Sequence, residues 1–428
     1  MNFRTKQFLR KRFGEYYQTS GLILPPDFTR REWGFIFFDE LPNVVMRRHK
    51  SFSVEGEALE YIRVMAPAHV YHSAAYYQFP GAGTMKEKLW QGADLIFDLD
   101  ADHLPMKARS YAEMLSNVKS EAVKLLDFLL EDFGFSENNI SIVFSGGRGY
   151  HIHVRDPKVL MLEGAERREI VDYVGGTGFD YNSVLNKRKK KLMIHDDHGI
   201  VRPERTTEYE MTDLPRWGRR ATQRYIRGNL LLPQVEMPTW GKRVAEQTIK
   251  FLDKIRLLEY KEALEELKKI EGITPYKAKN ILKSLQSFES YDKLRKTIFN
   301  AGLDQNSSMW NVQQSITKNV GIKAVEGETD EPVTADTKRL IRMSSSLHGG
   351  SGMRVVPLTS TEFEKFEPLN DAVVFSEKEI KIEIIPPLKP QNSLVEIKGK
   401  SFRVEEGINT LPEYAAIYLM CRGAAEYA

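Results

Sequence analysis

Hydrophobic and polar positions follow two periodicities along the first part of the chain. Lys6 to Tyr17 has helical spacing, whereas Phe35 to Phe38 and Met46 to Phe52 read as strands. Asp94 to Leu99 is an apolar strand. Tyr111 to Phe133 is an amphipathic helix with Val118, Ala122, Leu125, Leu126, Leu129 and Leu130 on one side. Two strands follow, Ile140 to Phe144 and Tyr150 to Val154, so an α/β (α+β) core is expected. From about Asp213 to Val320 the chain is charged and helical, with pieces at Gly241 to Glu271, Pro275 to Gln286 and Tyr291 to Asn300. Strand patterns return at Gly352 to Pro357, Ala372 to Phe375, Glu383 to Ile385 and Ser393 to Ile397. The expected architecture is a discontinuous mixed-sheet domain, residues 1–212 and 323–428, interrupted by a helical insertion domain over residues 213–322.

Composition narrows the picture. A chain of 428 residues with 41% hydrophobic content suits two or three domains with a sizeable core. The net charge of +3 excludes a uniformly basic surface, so nucleic-acid contact must come from local patches. A single cysteine, Cys421, excludes a disulfide framework and a cysteine-rich zinc site, and it fits a reducing, intracellular setting. No stretch approaches the ~20 apolar residues of a membrane span, and the N-terminus lacks a signal-peptide pattern.

Three segments carry candidate chemistry. In ADLIFDLDAD, Ala93 to Asp102, strand alternation puts Asp98 and Asp100 on one face, roughly 6.6 Å apart at Cα. Carboxylates at that spacing can converge on divalent cations. The local pattern fits a pair of acids at a solvated strand end equally well. In IVFSGGRGYHIHV, Ile142 to Val154, two apolar strands flank a turn holding Gly146, Gly147, Arg148 and Gly149. Glycines permit positive φ and close approach to phosphate, and arginine can fork onto it. Taken alone, the same segment reads as an ordinary glycine turn with two surface histidines. It is no dinucleotide fingerprint, because the third glycine position is Ile152. In TDEPVTADTKRLIRMSSSLHGGSGMRVVPL, Thr329 to Leu358, Thr334 is expected to cap a helix running to about Arg342, followed by a polar loop with His348. A routine helix–loop–strand connection has the same pattern.

Together the three segments resemble the archaeo-eukaryotic DNA primase family in its archaeal-type catalytic (small) subunit form. Asp98 and Asp100 match the family's Asp-x-Asp strand. Ser145, Gly146, Arg148, Gly149 and His151 match its Ser-Gly-x-Arg-Gly-x-His hairpin. Asp330, Arg342 and His348 match its distant acid, the basic position twelve residues on and the Ser-x-His histidine eighteen residues on. The resemblance covers roughly Arg31 to Val154 and Glu328 to Pro357. It implies template-directed primer synthesis by two Mg²⁺ or Mn²⁺ ions held by Asp98, Asp100 and Asp330. Ser145, Arg148, His151, Arg342 and His348 would cradle a nucleoside triphosphate, with Arg48 at the family's nearby basic position. It also implies a heterodimer with a large primase subunit, a single-stranded DNA template and a cytoplasmic setting. One departure stands out. Where related subunits often carry a cysteine zinc knuckle, His103 to Lys119 has no cysteine, so no zinc is expected.

Other features point less sharply. Lys187 to Lys191, and Arg216, Arg219, Arg220, Arg224 and Arg227 with Trp217 and Tyr225, suit template contact or a solvated helical face equally. KIEGITPYKAKNIL, Lys269 to Leu282, resembles a helix–hairpin–helix without its Gly-x-Gly turn. Gly399 to Ser401 fails as a P-loop because the upstream glycine position is Leu394. Rival readings are a metal-dependent nuclease or phosphodiesterase, a non-catalytic DNA-binding subunit and a repair-type primase-polymerase of the same superfamily.

Overall fold

A helix whose buried residues recur every four positions opens the chain. In α1 (Phe3–Thr19), Leu9, Phe13 and Tyr17 are wholly buried, and the Asn2 side chain caps the helix by accepting the Thr5 N–H at 2.8 Å. The computed structural model describes residues 1–103, 108, 110–178, 186–187, 194–196, 199–201, 230–231, 240–295, 315–327, 329–386 and 393–428. By contacts the chain forms two compact units, Met1–Thr177 with Gly327–Ala428, and Gly178–Glu326. The expected boundary at 212/213 lies outside the described residues, as do residues 188–191 of the first basic cluster and the whole of the second.

The first unit continues with β1 (Trp33–Ile36), β2 (Arg47–Lys50), α2 (Glu55–Met65) and β3 (His69–Ser73). A hairpin of β4 (Ala75–Tyr77) and β5 (Trp90–Ala93) leads into β6 (Leu95–Asp100). Next comes α3 (Tyr111–Asp127), capped by Ser110, which accepts the Glu113 N–H at 3.1 Å. The last turn of the expected helix, Phe128–Asp132, widens to π geometry. Then follow β7 (Ile140–Phe144), β8 (Gly149–Val154) and α4 (Gly164–Gly175).

The second unit contains β9 (Asn186–Lys187), β10 (Ile194–Asp196), β11 (Gly199–Val201) and β12 (Leu230–Leu231), with β9 pairing β12 and β10 pairing β11. Its longer described helices are α5 (Trp240–Leu257), α6 (Tyr260–Lys268) and α7 (Pro275–Gln286). The single helical stretch expected over Gly241 to Glu271 is two helices, because the backbone at Glu259 is extended (ψ 144°) and starts α6 afresh. Thr274 and Pro275 start α7 as a cap and a first-turn proline should. Part of the expected helix at Tyr291 to Asn300, residues 296–300, lies outside the described residues.

Back in the first unit come α8 (Glu331–Ala335), β13 (Leu340–Arg342) and β14 (Val356–Leu358). After them come β15 (Glu379–Ile384), β16 (Leu394–Ile397), β17 (Lys400–Arg403) and β18 (Gly407–Pro412). The buried helix α9 (Glu413–Cys421) and β19 (Ala425–Tyr427) close the chain. Two four-stranded antiparallel sheets dominate, in the orders β13-β3-β1-β2 and β14-β7-β8-β6. The mixed helical and antiparallel-sheet make-up is an α+β fold. Among the described residues no helix is long and apolar enough to cross a membrane.

Three sequence expectations are corrected. Thr334 does not cap a helix reaching Arg342: Pro332 sits in the first turn, Asp330 is the cap residue and α8 ends at Ala335. Leu340 to Arg342 is instead a strand, because Leu340 and Ile341 bury against β3 in register with Ser73 and His72. Ala372 to Phe375 is no strand; its contribution is the Ala372 carbonyl, which accepts the Arg354 N–H at 2.9 Å. Phe35 to Phe38 is a strand only to Ile36, after which Phe38–Glu40 coils into a 3₁₀ turn.

The two sheets are tied at one buried carboxylate. Asp94, just before β6, accepts from Arg31 Nη2 at 2.9 Å, Arg155 Nε at 3.2 Å and the Tyr76 hydroxyl at 2.5 Å. Arg31 is wholly buried and also donates to the carbonyls of Pro26, Ser73 and Ala74. From the other side Arg167 donates to the carbonyls of Ala93 and Asp94 at 2.9 and 2.7 Å. Removing the Asp94 charge leaves buried guanidinium unpaired. Asp94→Asn should therefore destabilise the protein by about 3–5 kcal/mol, read as a lower urea midpoint at unchanged slope.

Candidate active site

Cross-strand register, more than any one motif, assembles the site. On β6 and β8, Asp98 stands directly opposite His151 and Asp100 opposite Gly149. Directly opposed residues share a sheet face, so both aspartates and His151 point the same way. They line a cleft of about 850 Å³ whose other wall is the first sheet, with Arg48, Tyr71 and Arg342. Ser145, Arg148 and His348 line it as well. The cleft thus holds every expected site residue except Asp330. The Asp330 N–H donates to the Asp98 carbonyl at 3.0 Å, which places α8 beside β6. Asp336 is the cap residue that follows α8, and it lines the cleft. Its carboxylate accepts the Lys338 N–H at 2.9 Å, closing a local turn.

The glycines of the hairpin serve packing within the protein. Gly149 lies so close to β6 that a Cβ there would sit 1.9 Å from the Leu99 carbonyl oxygen. Gly146 has φ +76°, and a Cβ would lie 2.8 Å from that of His348; at Gly147 it would lie 3.0 Å from His348 Nε2. The loop after β13 therefore presses its histidine against the hairpin turn. His348 Nδ1 accepts the Gly350 N–H at 3.1 Å, so the neutral ring carries its proton on Nε2 as a donor. Burial, then Arg342, His69 and Arg148, hold its pKa well below the usual histidine value.

The cations differ in how firmly they are held. Arg48 is gripped in a fork by buried Glu32, at 3.0 and 3.2 Å. Burial works against that carboxylate, yet Arg48, Lys88 and the His49 N–H keep its pKa below the normal range. Arg342 lies over the Tyr71 ring, 5.3 Å from its centre. Arg148 is half exposed, paired with Asp102 at 2.7 Å and 3.6 Å from Asp100. His151 is buried with Nε2 3.6 Å from Asp98, and burial, then Arg342, push its pKa down to about 3.

Sequence patterns did not point to several cleft residues. His69 packs edge-on against His348, with ring centres 5.0 Å apart. Tyr111 donates to the Gly147 carbonyl at 2.6 Å, and Arg422 sits over the Tyr111 ring. None belongs to a motif, and only the fold brings them in. Among the described residues, no three His, Cys, Asp or Glu side chains form a ready metal-ligand group. The donor chemistry nonetheless suits a hard divalent cation. Asp98 and Asp100 offer carboxylate oxygens on one strand face, and Asp330 is bonded to the same residue.

Paired acids thus face a cationic hairpin across one cleft of an α+β scaffold. The family model described as DNA primase small subunit matches residues 97–360. A protein named DNA primase small subunit PriS from Methanococcoides burtonii is 44% identical over 430 residues, covering 100% of both chains. Proteins of the same name from Methanocella arvoryzae and Methanothrix thermoacetophila are also 44% identical, again over 100% of both chains. The chain belongs to the DNA primase small subunit family.

Two predictions follow from the geometry. Gly149→Ala should part β6 from β8 and lose several kcal/mol, of the order of 3 or more, with the fall in thermal midpoint measured by calorimetry. The buried histidines set an acid limit. His151 has a folded pKa of about 3, and those of His72 and His153 are also well below normal, burial being the first cause in each. The unfolded chain takes up these protons first, near the ordinary histidine value of about 6.5. Their stabilising contribution is whole above that pH and falls steadily as pH drops towards 3. Urea midpoints at pH 7.5, 6 and 5 should decline in that order, and His153→Phe should flatten the slope.

Proposed function

We propose that this chain is the catalytic subunit of a DNA primase, making primers from nucleoside triphosphates on single-stranded DNA by metal-assisted nucleotidyl transfer. The observation that carries the reading is the register of β6 against β8, which sets Asp98 and Asp100 beside His151 in a cleft that also holds Arg48, Arg148, Arg342 and His348. Asp98, Asp100 and Asp330 would hold Mg²⁺ or Mn²⁺. Bound there, the ions would lower the pKa of an attacking 3′-hydroxyl and offset charge on the leaving pyrophosphate.

The protein's own groups do the rest. Arg48 and Arg342 are oriented by Glu32 and Tyr71 before any ligand arrives, so little side-chain freedom is lost on binding. His348 offers its Nε2–H, and Ser145 its hydroxyl, to phosphate oxygens. Arg148 exchanges Asp102 and Asp100 for the triphosphate. The first unit is read as the catalytic domain and the second as an insertion. A large subunit is the expected partner, in a cytoplasmic heterodimer. A repair-type primase-polymerase or a nuclease would use the same acids.

The test is incubation with single-stranded template and labelled nucleotides, without primer, comparing NTPs with dNTPs. Products that lengthen support the reading, and template that shortens points to the nuclease. Asp330→Asn should abolish synthesis as Asp98→Asn does, with the fold intact by circular dichroism. Asp336→Asn should cost no more than about 1 kcal/mol of stability and keep most activity, because its carboxylate closes a local turn. An active Asp330→Asn beside a dead Asp336→Asn would transfer the role to the cleft-lining acid.

A further inference from the structure

Behind His151 lie two polar atoms that the reaction does not explain. His151 and His153 project from the same face of β8, with ring centres 6.2 Å apart. Arg155 Nη2 approaches His153 Nδ1 at 3.3 Å. An arginine only donates, so Nδ1 accepts and neutral His153 carries its proton on Nε2. That Nε2 is buried without a hydrogen-bond partner. The situation at His151 is the converse. Its Nε2 lies 3.6 Å from the Asp98 carboxylate, whose negative charge favours the tautomer with the proton on Nε2. Nδ1 is then a bare acceptor, and it too is buried without a partner. One orphan donor and one orphan acceptor therefore sit on neighbouring rings.

We propose that His153 is a positioning residue for His151, the two rings sharing one buried water that accepts from His153 Nε2 and donates to His151 Nδ1. Two hydrogen bonds of about 2.9 Å each reach between rings at this separation. Buried waters occupy sites where otherwise unsatisfied polar groups converge. The water holds a proton off His151 Nδ1, so the ring presents Nε2–H to the cleft. Its far support is rigid: Arg155 is bonded to Asp94 at 3.2 Å and to the Ser141 hydroxyl at 3.0 Å. Sheet-joining hub and cleft histidine are thereby linked in one hydrogen-bond chain.

The functional consequence rests on the reading of His151 as a nucleotide contact, and the test separates the two. In protein labelled with ¹⁵N at histidine, long-range spectra report the tautomer of each ring. The wild type should show Nε2–H for both His151 and His153. His153→Phe keeps a ring of similar shape without nitrogen; it should leave His151 in a mixture of tautomers. It should also raise the nucleotide KM roughly fivefold to tenfold, the effect of one lost hydrogen bond, while template binding holds. His153→Gln, which keeps an N–H near the Nε2 position, should restore both. An unchanged His151 tautomer in His153→Phe overturns the proposal, as does a change that His153→Gln fails to reverse. If His153→Phe does not fold, His153→Leu against His153→Gln decides the question by the same spectrum. Unaltered nucleotide KM in His151→Ala would remove His151 from nucleotide binding, while the tautomer result would still decide the link between the rings.

Discussion

The first unit depends on the buried Asp94 carboxylate. Taking a carboxylate and two guanidinium groups out of water carries a large desolvation cost, offset only where every donor and acceptor finds a partner. Asp94 meets that condition with Arg31, Arg155 and Tyr76, and the remaining donors of Arg31 go to three backbone carbonyls. Arg31 precedes β1, Ser73 ends β3 with Ala74 next to it, and Arg155 follows β8. One charge cluster therefore fixes both sheets relative to each other at the base of the cleft. Its specific gain is registry. Asp98 lies four residues along β6 from Asp94, so the positions of the paired acids are set by the same contacts.

From that base the cleft is built by close backbone approach. Gly149 lets β8 lie against the Leu99 carbonyl, and Gly146 and Gly147 let His348 settle on the turn. The glycine-rich turn resembled a phosphate cradle in the sequence. Gly146 and Gly149 accommodate protein, while Ser145, Gly147 and Arg148 of the turn and His348 of the loop after β13 line the cleft. A Cβ at Gly149 would therefore disturb both the sheet and the site.

Much of the fold was legible because periodicity reports burial. The β6 strand, the β7–β8 hairpin and α7 lie where the apolar pattern put them. The segment from Asp330 to Arg342 was misread because TDEPVTADTKRLIR suits a helix locally. Leu340 and Ile341 join a sheet only because β3, far away in sequence, supplies an apolar face for them. The motifs that carry the family resemblance named nine site residues, of which all but Asp330 line the cleft; Asp330 reaches β6 through its backbone. His69, Tyr111 and Arg422 could not be read, because each enters through tertiary packing. The role of Glu32 in fixing Arg48 was hidden for the same reason: sixteen residues and a strand crossing separate them.

Charge balance explains why the cleft keeps its histidines neutral. On the proposed reading it must accept a polyanion and divalent cations together. A protonated His151 beside Asp98 would compete with a cation for that carboxylate. Burial and the nearby Arg342 remove that competition, and the ring remains an N–H donor. The permanent positive charge is left to arginines, which cannot lose their protons. Two of these are anchored, Arg48 on a buried carboxylate and Arg342 on an aromatic face. Arg148, half exposed and engaged with Asp102, is the one free to change partners at modest cost, since an exposed ion pair is worth at most about 1 kcal/mol. The arrangement separates two tasks. On the proposed reading the anchored cations would define where the phosphates lie, and Arg148 would exchange its acidic partners for the ligand.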